Sequence, residues 1–312
     1  MSGYHRGEIA VQERAGLARR AASAERAIRS DIPGIAADFL GRQPFLVVGG
    51  ADERGRIWAA QLTGEPGFLS VPAPDTLVVG ALPRPGDPLA GLLSGAGAGG
   101  AAPARIGMIA IEPATRRRMR MNGRAVRAGD GLRVELDQAV ANCPKYIQER
   151  HHHHRVAPGE ERGQRHTVTD GDALSPAQQD AVRAADTFFV ATASDRGDAD
   201  ASHRGGNPGF VQVVSDRLLR WPDYAGNGMF LTLGNLELNP AAGLLVPGWD
   251  TGAALHLTGR ARTVWDADAV ARVPGAERLV EFEVTAVREI AAASPLRWSA
   301  PGFHRFNPPV AA

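Results

Sequence analysis

Short apolar runs separated by turns rich in Gly, Asp and Pro fill most of this chain, which is the pattern of a mainly β protein. In the first half the runs predict strands at 45–49, 57–61, 67–71, 76–81, 105–112, 117–128 and 132–138. In the second half they predict strands at 187–193, 198–203, 209–214, 217–221, 228–233, 242–247, 253–265 and 278–289.

Helical patterns precede each set of strands. Residues 8–40 are rich in Ala, Arg and Glu, and Ser30-Asp31-Ile32-Pro33 predicts the cap and first turn of a short helix that ends near Leu40. Leu174-Ser175-Pro176 predicts a second helix with a serine cap and proline in its first position. One helix before many short strands favours small β-barrels over an alternating βαβ sheet.

The two halves repeat each other. Gly64-Glu65-Pro66-Gly67-Phe68 recurs as Gly206-Asn207-Pro208-Gly209-Phe210. Further matches, in the same order, are Arg54-Gly55 with Arg196-Gly197, Pro88, Gly91 and Leu92 with Pro240, Gly243 and Leu244, and Gly123-Arg124-Ala125 with Gly259-Arg260-Ala261. A repeat of this length indicates a duplicated domain, because solenoid repeats are far shorter. We therefore predict a helical extension at 1–28, a first barrel at 29–148, a linker at 149–172 and a second barrel at 173–312.

Composition narrows the class of protein. The chain has 312 residues, 44% hydrophobic and 22% charged, which is typical of a soluble protein with two cores. Its net charge of +1 argues against a nucleic-acid or membrane partner. There is no apolar stretch long enough to span a membrane and no signal-peptide pattern, and the single cysteine allows no internal disulfide, so we expect a cytoplasmic protein.

The copies differ in polar residues. The second copy has Ser202-His203-Arg204-Gly205-Gly206 where the first has Ala60-Gln61-Leu62-Thr63-Gly64, and it adds Gly226-Asn227 and Thr232-Leu233-Gly234-Asn235. An Arg fork, hydroxyls, an amide and glycines are donors that suit a phosphate. The second copy is therefore the candidate binding half, and the first is its structural partner.

These stretches, together with Asn239-Pro240 and 257–261, resemble the pyridoxamine 5′-phosphate oxidase-like family over about 180–290. The resemblance implies two tandem split β-barrels, FMN as cofactor and an oxidoreductase acting on a small molecule. It implies that Arg204 pairs with the FMN phosphate and that Thr232 and Asn235 bind phosphate or ribityl oxygens. Ser202, His203 and Gly205 belong to the same implied site, and only one of Ser202 and His203 should face the flavin because side chains alternate along a strand.

The family's oxidases carry an Arg-Lys pair where Gly234-Asn235 stand here. Split barrels of this family commonly dimerise, so a homodimer is the expected assembly. Two other interpretations stay open: a flavin-binding or small-molecule-binding protein without turnover, and the same fold with a deazaflavin or a haem.

The segment Asn142-Cys143-Pro144-Lys145-Tyr146 ends the first copy and holds the only lysine and the only cysteine. We expect it to fold over the flavin, with Lys145 countering the charge of the reduced ring. Cys143 has no His or acid at a spacing that would activate it. Neither His151–His154 nor Arg116–Arg118 predicts a site, because consecutive histidines cannot all face one metal ion and an isolated basic triplet is usually solvated.

Overall fold

The computed structural model describes residues 3–97, 102–141, 144–155 and 167–310. Its helices are α1 (Arg6–Arg14), α2 (Ala18–Glu25), α3 (Gly34–Gly41), α4 (Ala90–Gly95), α5 (Pro176–Ala184), α6 (Leu231–Leu238) and α7 (Ala267–Ala271). Helix α5 begins as predicted, because the Ser175 hydroxyl accepts a hydrogen bond from the Gln178 amide at 3.3 Å. Helix α3 begins one residue after Pro33, which is itself the N-cap.

The first barrel is one antiparallel sheet. Its strands are β1 (Phe45–Ala51), β2 (Ile57–Thr63), β3 (Leu69–Ala73), β4 (Thr76–Val79), β5 (Ala104–Glu112), β6 (Arg117–Ala128) and β7 (Gly131–Ala141). They lie in the order β2-β1-β5-β6-β7-β4-β3. Two short strands follow, β8 (His152–Arg155) and β9 (Val168–Gly171).

The second barrel repeats this topology strand for strand. Its strands are β10 (Thr187–Ala193), β11 (Ala199–Gly205), β12 (Gln212–Val213), β13 (Leu218–Tyr224), β14 (Ala241–Pro247), β15 (Ala254–Val264) and β16 (Ala276–Ile290), and β17 (Leu296–Trp298) lies in the tail. The order β11-β10-β14-β15-β16-β13-β12 is that of the first barrel. The predicted fold, mainly β with two tandem split barrels from a duplication, is confirmed.

Repeated glycines explain much of the sequence repeat. The register of β6 and β7 shifts at Gly123, and that of β15 and β16 shifts at Gly259. A Cβ would lie 2.1 Å from the Glu135 carbonyl oxygen in the first case and 1.9 Å from that of Glu283 in the second. Both strands therefore bulge where the backbone of the neighbouring strand passes too closely for any side chain.

The two barrels pack on each other through equivalent strands, as the two subunits of a symmetric dimer do. Strand β5 packs on β11, and its equivalent β14 packs on β2. A Cβ on Gly107 would lie 2.3 Å from Asp200 Cα, and one on Gly243 would lie 2.6 Å from Trp58 Cα. Where β1 meets β10, a Cβ on Gly49 would lie 2.6 Å from the Ala191 methyl. The interface is thus a close sheet-to-sheet contact that only glycine permits, around an apolar core of its own.

Residues 228–233 are not a strand, and that prediction is wrong. Phe230 has a left-handed backbone, with φ of 60°, and α6 follows it. All six residues from Leu231 to Leu236 are buried, so the segment shows no polar face. A short apolar run of this kind does not distinguish a buried strand from a buried helix by its pattern.

The proposed match of Pro88, Gly91 and Leu92 with Pro240, Gly243 and Leu244 is also wrong. Gly91 lies in α4, whereas Gly243 lies in β14. Helix α4 lies between β4 and β5, and α6 lies between the equivalent strands β13 and β14, so the segment around Gly91 corresponds to α6 and not to β14.

The segments that flank the first barrel contact the second one. Helix α1 packs on α6, β8 pairs with β17, and β9 pairs with β16. The described parts of the predicted linker thus belong to sheets, while the proposed domain boundaries stay a prediction. No helix of the described residues is long and apolar enough to cross a membrane.

Candidate functional site

A cleft lies between the barrels, where β11, the end of β13 and the start of α6 face β6 and the segment that follows β7. Its charged side chains are six cations, Arg20, Arg118, Arg120, Lys145, Arg204 and Arg278, and two acids, Asp223 and Glu277. Both acids pair with Arg278, at 2.8 and 2.6 Å. The remaining cations make the cleft positive, which favours an anionic ligand.

Arg204 is the most unusual of these cations. Its Nη1 donates to the Ser202 hydroxyl at 2.6 Å and to the His203 carbonyl at 3.1 Å. No carboxylate of the described residues forms an ion pair with it, and burial lowers its pKa. A guanidinium that is removed from water without an anion is costly, so this position suits a bound anion.

The first barrel completes this centre through Arg120. Its Nη2 donates to the same Ser202 hydroxyl, and its Nε lies 3.4 Å from Asp200 Oδ1. The Thr232 hydroxyl donates to Asp200 Oδ2 at 3.2 Å. A buried polar network therefore joins β6 to β11 and α6 across the barrel interface, and such a network rigidifies its members when they are satisfied.

His203 faces the first barrel, on the opposite side of β11 from Ser202 and Arg204. Arg118 Nη1 lies 3.0 Å from His203 Nδ1, and since a guanidinium only donates, Nδ1 accepts and the ring proton resides on Nε2. Burial, together with Arg118 and Arg204, holds the pKa of His203 well below its usual value. The imidazole is therefore neutral at physiological pH.

Two tyrosines narrow the open end of the cleft. The rings of Tyr146 and Tyr224 lie 5.1 Å apart between centroids, and the Tyr146 hydroxyl donates to the Ala225 carbonyl at 3.3 Å. The Tyr146 backbone reaches this place because Gly205 has no side chain: a Cβ there would lie 2.1 Å from the Tyr146 carbonyl oxygen. Lys145 stands beside them, with Nζ 5.8 Å from the centroid of the Phe306 ring.

The enclosed volume of the cleft is about 120 Å³. Pockets for small organic ligands usually measure about 300–1,000 Å³. The cleft is therefore smaller in this structure than the pockets that hold most organic ligands.

Six of the seven predicted site residues line the cleft: Ser202, His203, Arg204, Gly205, Thr232 and Lys145. Asn235 does not line it. Its side-chain oxygen accepts from His5 Nε2 at 3.0 Å and its amide donates to the Thr192 hydroxyl at 3.1 Å. The flavin roles of all seven stay predictions. Cys143 lies outside the described residues.

A family model of pyridoxamine 5′-phosphate oxidase matches residues 174–296, which span most of the second barrel. The second barrel is therefore similar to the pyridoxamine 5′-phosphate oxidase family over these residues. No curated protein matches the chain.

Several solved structures resemble part of the chain at low identity. A putative pyridoxamine 5′-phosphate oxidase from Lactobacillus delbrueckii is 14% identical, covering 38% of this chain and 94% of its own, with a TM-score of 0.32. The FAD-binding protein of Mycobacterium smegmatis is 15% identical, with coverage of 39% and 99% and a TM-score of 0.28. The haem storage protein HutZ of Vibrio cholerae is 15% identical, with coverage of 42% and 96% and a TM-score of 0.25.

Only the second barrel has the polar network. Strand register places Trp58, Ala60, Leu62 and His256 at the positions equivalent to Asp200, Ser202, Arg204 and Arg120. Apart from His256, these residues are apolar, and His256 is buried with Nδ1 2.8 Å from the Ala59 carbonyl oxygen. The first barrel thus lacks the polar network that lines the cleft of the second.

The sequence did not indicate that Arg118, Arg120 and Arg20 line this cleft. The prediction that Arg116–Arg118 form a solvated triplet is wrong for Arg118, which lies in the cleft against His203. The alternation of Arg118 and Arg120 on one strand was an available signal, since it puts both on one face. Nothing local in the sequence indicated Arg20, because α2 reaches the cleft only through tertiary packing.

Proposed function

We propose that the cleft binds FMN and that this protein is an FMN-dependent oxidoreductase of the pyridoxamine 5′-phosphate oxidase-like class. The observation that carries the proposal is Arg204, a partly buried cation without a carboxylate partner among the described residues, on a strand that the family model covers. FMN when bound supplies the redox chemistry, and the protein supplies binding, orientation and electrostatics.

The residues have separate tasks in this proposal. Arg204 holds the phosphate through charge-assisted hydrogen bonds, and Thr232 lines the cleft from the first turn of α6, where its hydroxyl orients Asp200. Arg120 fixes the Ser202 hydroxyl from the other barrel, so both barrels are needed for one site. Lys145 stands at the rim, where an ammonium stabilises negative charge on a bound ring. A small-molecule substrate would reach the ring from the side that Tyr146 and Tyr224 now close.

The test is retention of FMN. We expect desalted protein to keep added FMN, and Arg204→Ala to weaken its affinity by about ten- to a hundredfold, the loss of one hydrogen bond to a charged group. The control is Arg196→Ala, which removes an exposed arginine of the β10–β11 turn. A protein that retains no FMN, or equal affinity in both variants, would refute the assignment.

A second function, ligand binding without turnover, is favoured by one observation. His203 is held neutral by burial and by Arg118, so it is a poor proton carrier at physiological pH. Consumption of a reduced nicotinamide or of dioxygen by the FMN-loaded protein separates the two functions. The absorbance spectrum of the purified protein separates FMN from a deazaflavin or a haem.

The assembly is a proposal of the same kind. Because the two barrels of one chain already supply both sides of the cleft, a homodimer would add a further interface rather than complete the site. Light scattering after size-exclusion chromatography measures the mass directly, and a monomer would overturn the expected dimer.

A further inference from the structure

The N-terminal helices make an unusually close contact with the helix that carries Thr232. A Cβ on Gly7 would lie 2.2 Å from the Gly234 carbonyl oxygen, and a Cβ on Gly234 would lie 2.4 Å from Glu8 Cγ. Such distances mean that α1 and α6 touch backbone to backbone, which only two glycines allow. The contact is therefore specific to this pair of positions.

Polar contacts fix α1 at the same place. His5 caps its own helix by accepting from the Gly7 amide at 3.1 Å, and its Nε2 donates to Asn235. The Gln12 side-chain amide donates to the Met229 carbonyl at 3.1 Å in a buried environment. Arg6 forms an ion pair with Asp195, next to the turn before β11. Helix α1 thus holds α6, the loop before it and the turn before β11.

Helix α2 extends this contact into the cleft itself. Leu17 and Arg20 line the cleft, and Arg20 Nη2 donates to the Gly226 carbonyl at 2.7 Å. The loop at 225–230 contains Gly228, whose φ of 81° is a conformation that glycine adopts without strain. The aliphatic stem of Arg20 lies against Gly228, so Arg20 contacts this loop at two neighbouring glycines.

We propose that α1 and α2 form a third wall of the cleft, and that Arg20 is a positioning residue that orders the 225–230 loop for ligand binding. The two barrels supply the anion-binding groups, and the N-terminal extension holds α6 and its loop in the geometry that presents Thr232. The inference deepens the proposed function, since it concerns affinity for the ligand of that same cleft.

The first test measures the docking without any ligand. Gly7→Leu forces α1 away from Gly234, whereas Ala10→Leu adds the same side chain on the exposed face of α1. We expect faster amide hydrogen exchange at 225–236 in Gly7→Leu and unchanged exchange in Ala10→Leu. Equal exchange in the two variants would overturn the proposal.

The second test measures the ligand. We expect Arg20→Ala to raise the dissociation constant of FMN by about two- to tenfold, as for the loss of one ordinary hydrogen bond. Arg20→Gln keeps a donor for the Gly226 carbonyl and should restore most of the affinity, and Arg19→Ala is the exposed control on the same helix. An FMN affinity that is unchanged in Arg20→Ala would exclude the positioning role.

The two hypotheses fail differently. If the wild-type protein binds no FMN, the proposed function is refuted, and hydrogen exchange in the ligand-free variants alone then decides whether the N-terminal helices order the loop.

Discussion

Glu8 makes the docking of the N-terminal helix dependent on pH. The carboxyl group is 2% exposed and lies under α6, where it accepts a hydrogen bond from the His5 backbone amide at 2.7 Å. Burial raises its pKa from 4.5 to about 8, and the nearby carboxylates of Asp200 and Asp198 act in the same direction while Arg120 opposes them. The neutral form is therefore the one that fits beneath α6.

The sign follows from proton linkage. Between pH 4.5 and about 8 the docked state keeps a proton that the undocked state has lost, so docking weakens as pH rises through this window. With those two pKa values, the change from pH 6 to pH 9 is about 3 kcal/mol, or about a hundredfold more undocking. That amount is a large part of the about 5–15 kcal/mol that stabilises a typical domain, so local release of α1 should precede global unfolding.

Glu8→Gln removes the titration and keeps an oxygen for the His5 amide. We expect its exchange protection over α1, corrected for the intrinsic pH dependence of amide exchange, to be about equal at pH 6 and pH 9, while the wild type loses protection. Glu13→Gln changes an exposed carboxyl on the same helix and should behave like the wild type. If Glu8→Gln and the wild type lose protection in parallel, the buried carboxyl is not the cause and the reasoning is refuted.

Three further predictions concern the barrels. Gly107→Val would drive a side chain into the Asp200 backbone, so we expect the free energy of unfolding in urea to fall by at least about 1–3 kcal/mol; an unchanged midpoint would contradict the glycine-dependent interface. Arg150→Ala would leave Asp186 buried without its partner, at a cost of about 3–5 kcal/mol near pH 7 that calorimetry would detect. Titration with FMN should saturate at one molecule per chain, because only the second barrel has the polar network. Binding of two FMN molecules per chain would contradict this prediction.

Most strands could be predicted from the sequence, because they have one buried face and end in glycine-rich turns. Fourteen of the strand predictions are confirmed to within a few residues, including β10, which begins at Thr187 and ends at Ala193 as expected. The failure at 228–233 has a physical reason: residues 231–236 of α6 are all buried, with β10, β11, β15 and α1 as neighbours, so this part of the helix leaves no helical period of polar residues in the sequence.

Only part of the site could be predicted from the sequence, because some of its residues lie far apart along the chain. The donors of the second copy lie close together in sequence, at 202–205 and 232, and are recognisable as a group. Arg118 and Arg120 lie more than eighty residues earlier and reach Ser202 and His203 only because two sheets pack face to face. The alternation of apolar and polar residues along a strand indicates which of its faces is buried. It does not indicate how two separate sheets pack, because that depends on contacts such as the one between Gly107 and Asp200.

The asymmetry between the copies explains how one chain can use a dimer-like fold for a single site. In a symmetric homodimer the two barrels have the same sequence, so each barrel must both bind the ligand of its own cleft and support the cleft of the other. Every position, including that of Arg120, must then suit both roles. Duplication within a chain removes that constraint. The first barrel has Leu62 where the second has Arg204, and Trp58 where the second has Asp200, and both side chains are buried in its core, while its Arg120 contacts the cleft of the second barrel. Helix α1 packs on α6 of the second barrel, where Gly234 admits it, so the extension supports the barrel that carries the polar network.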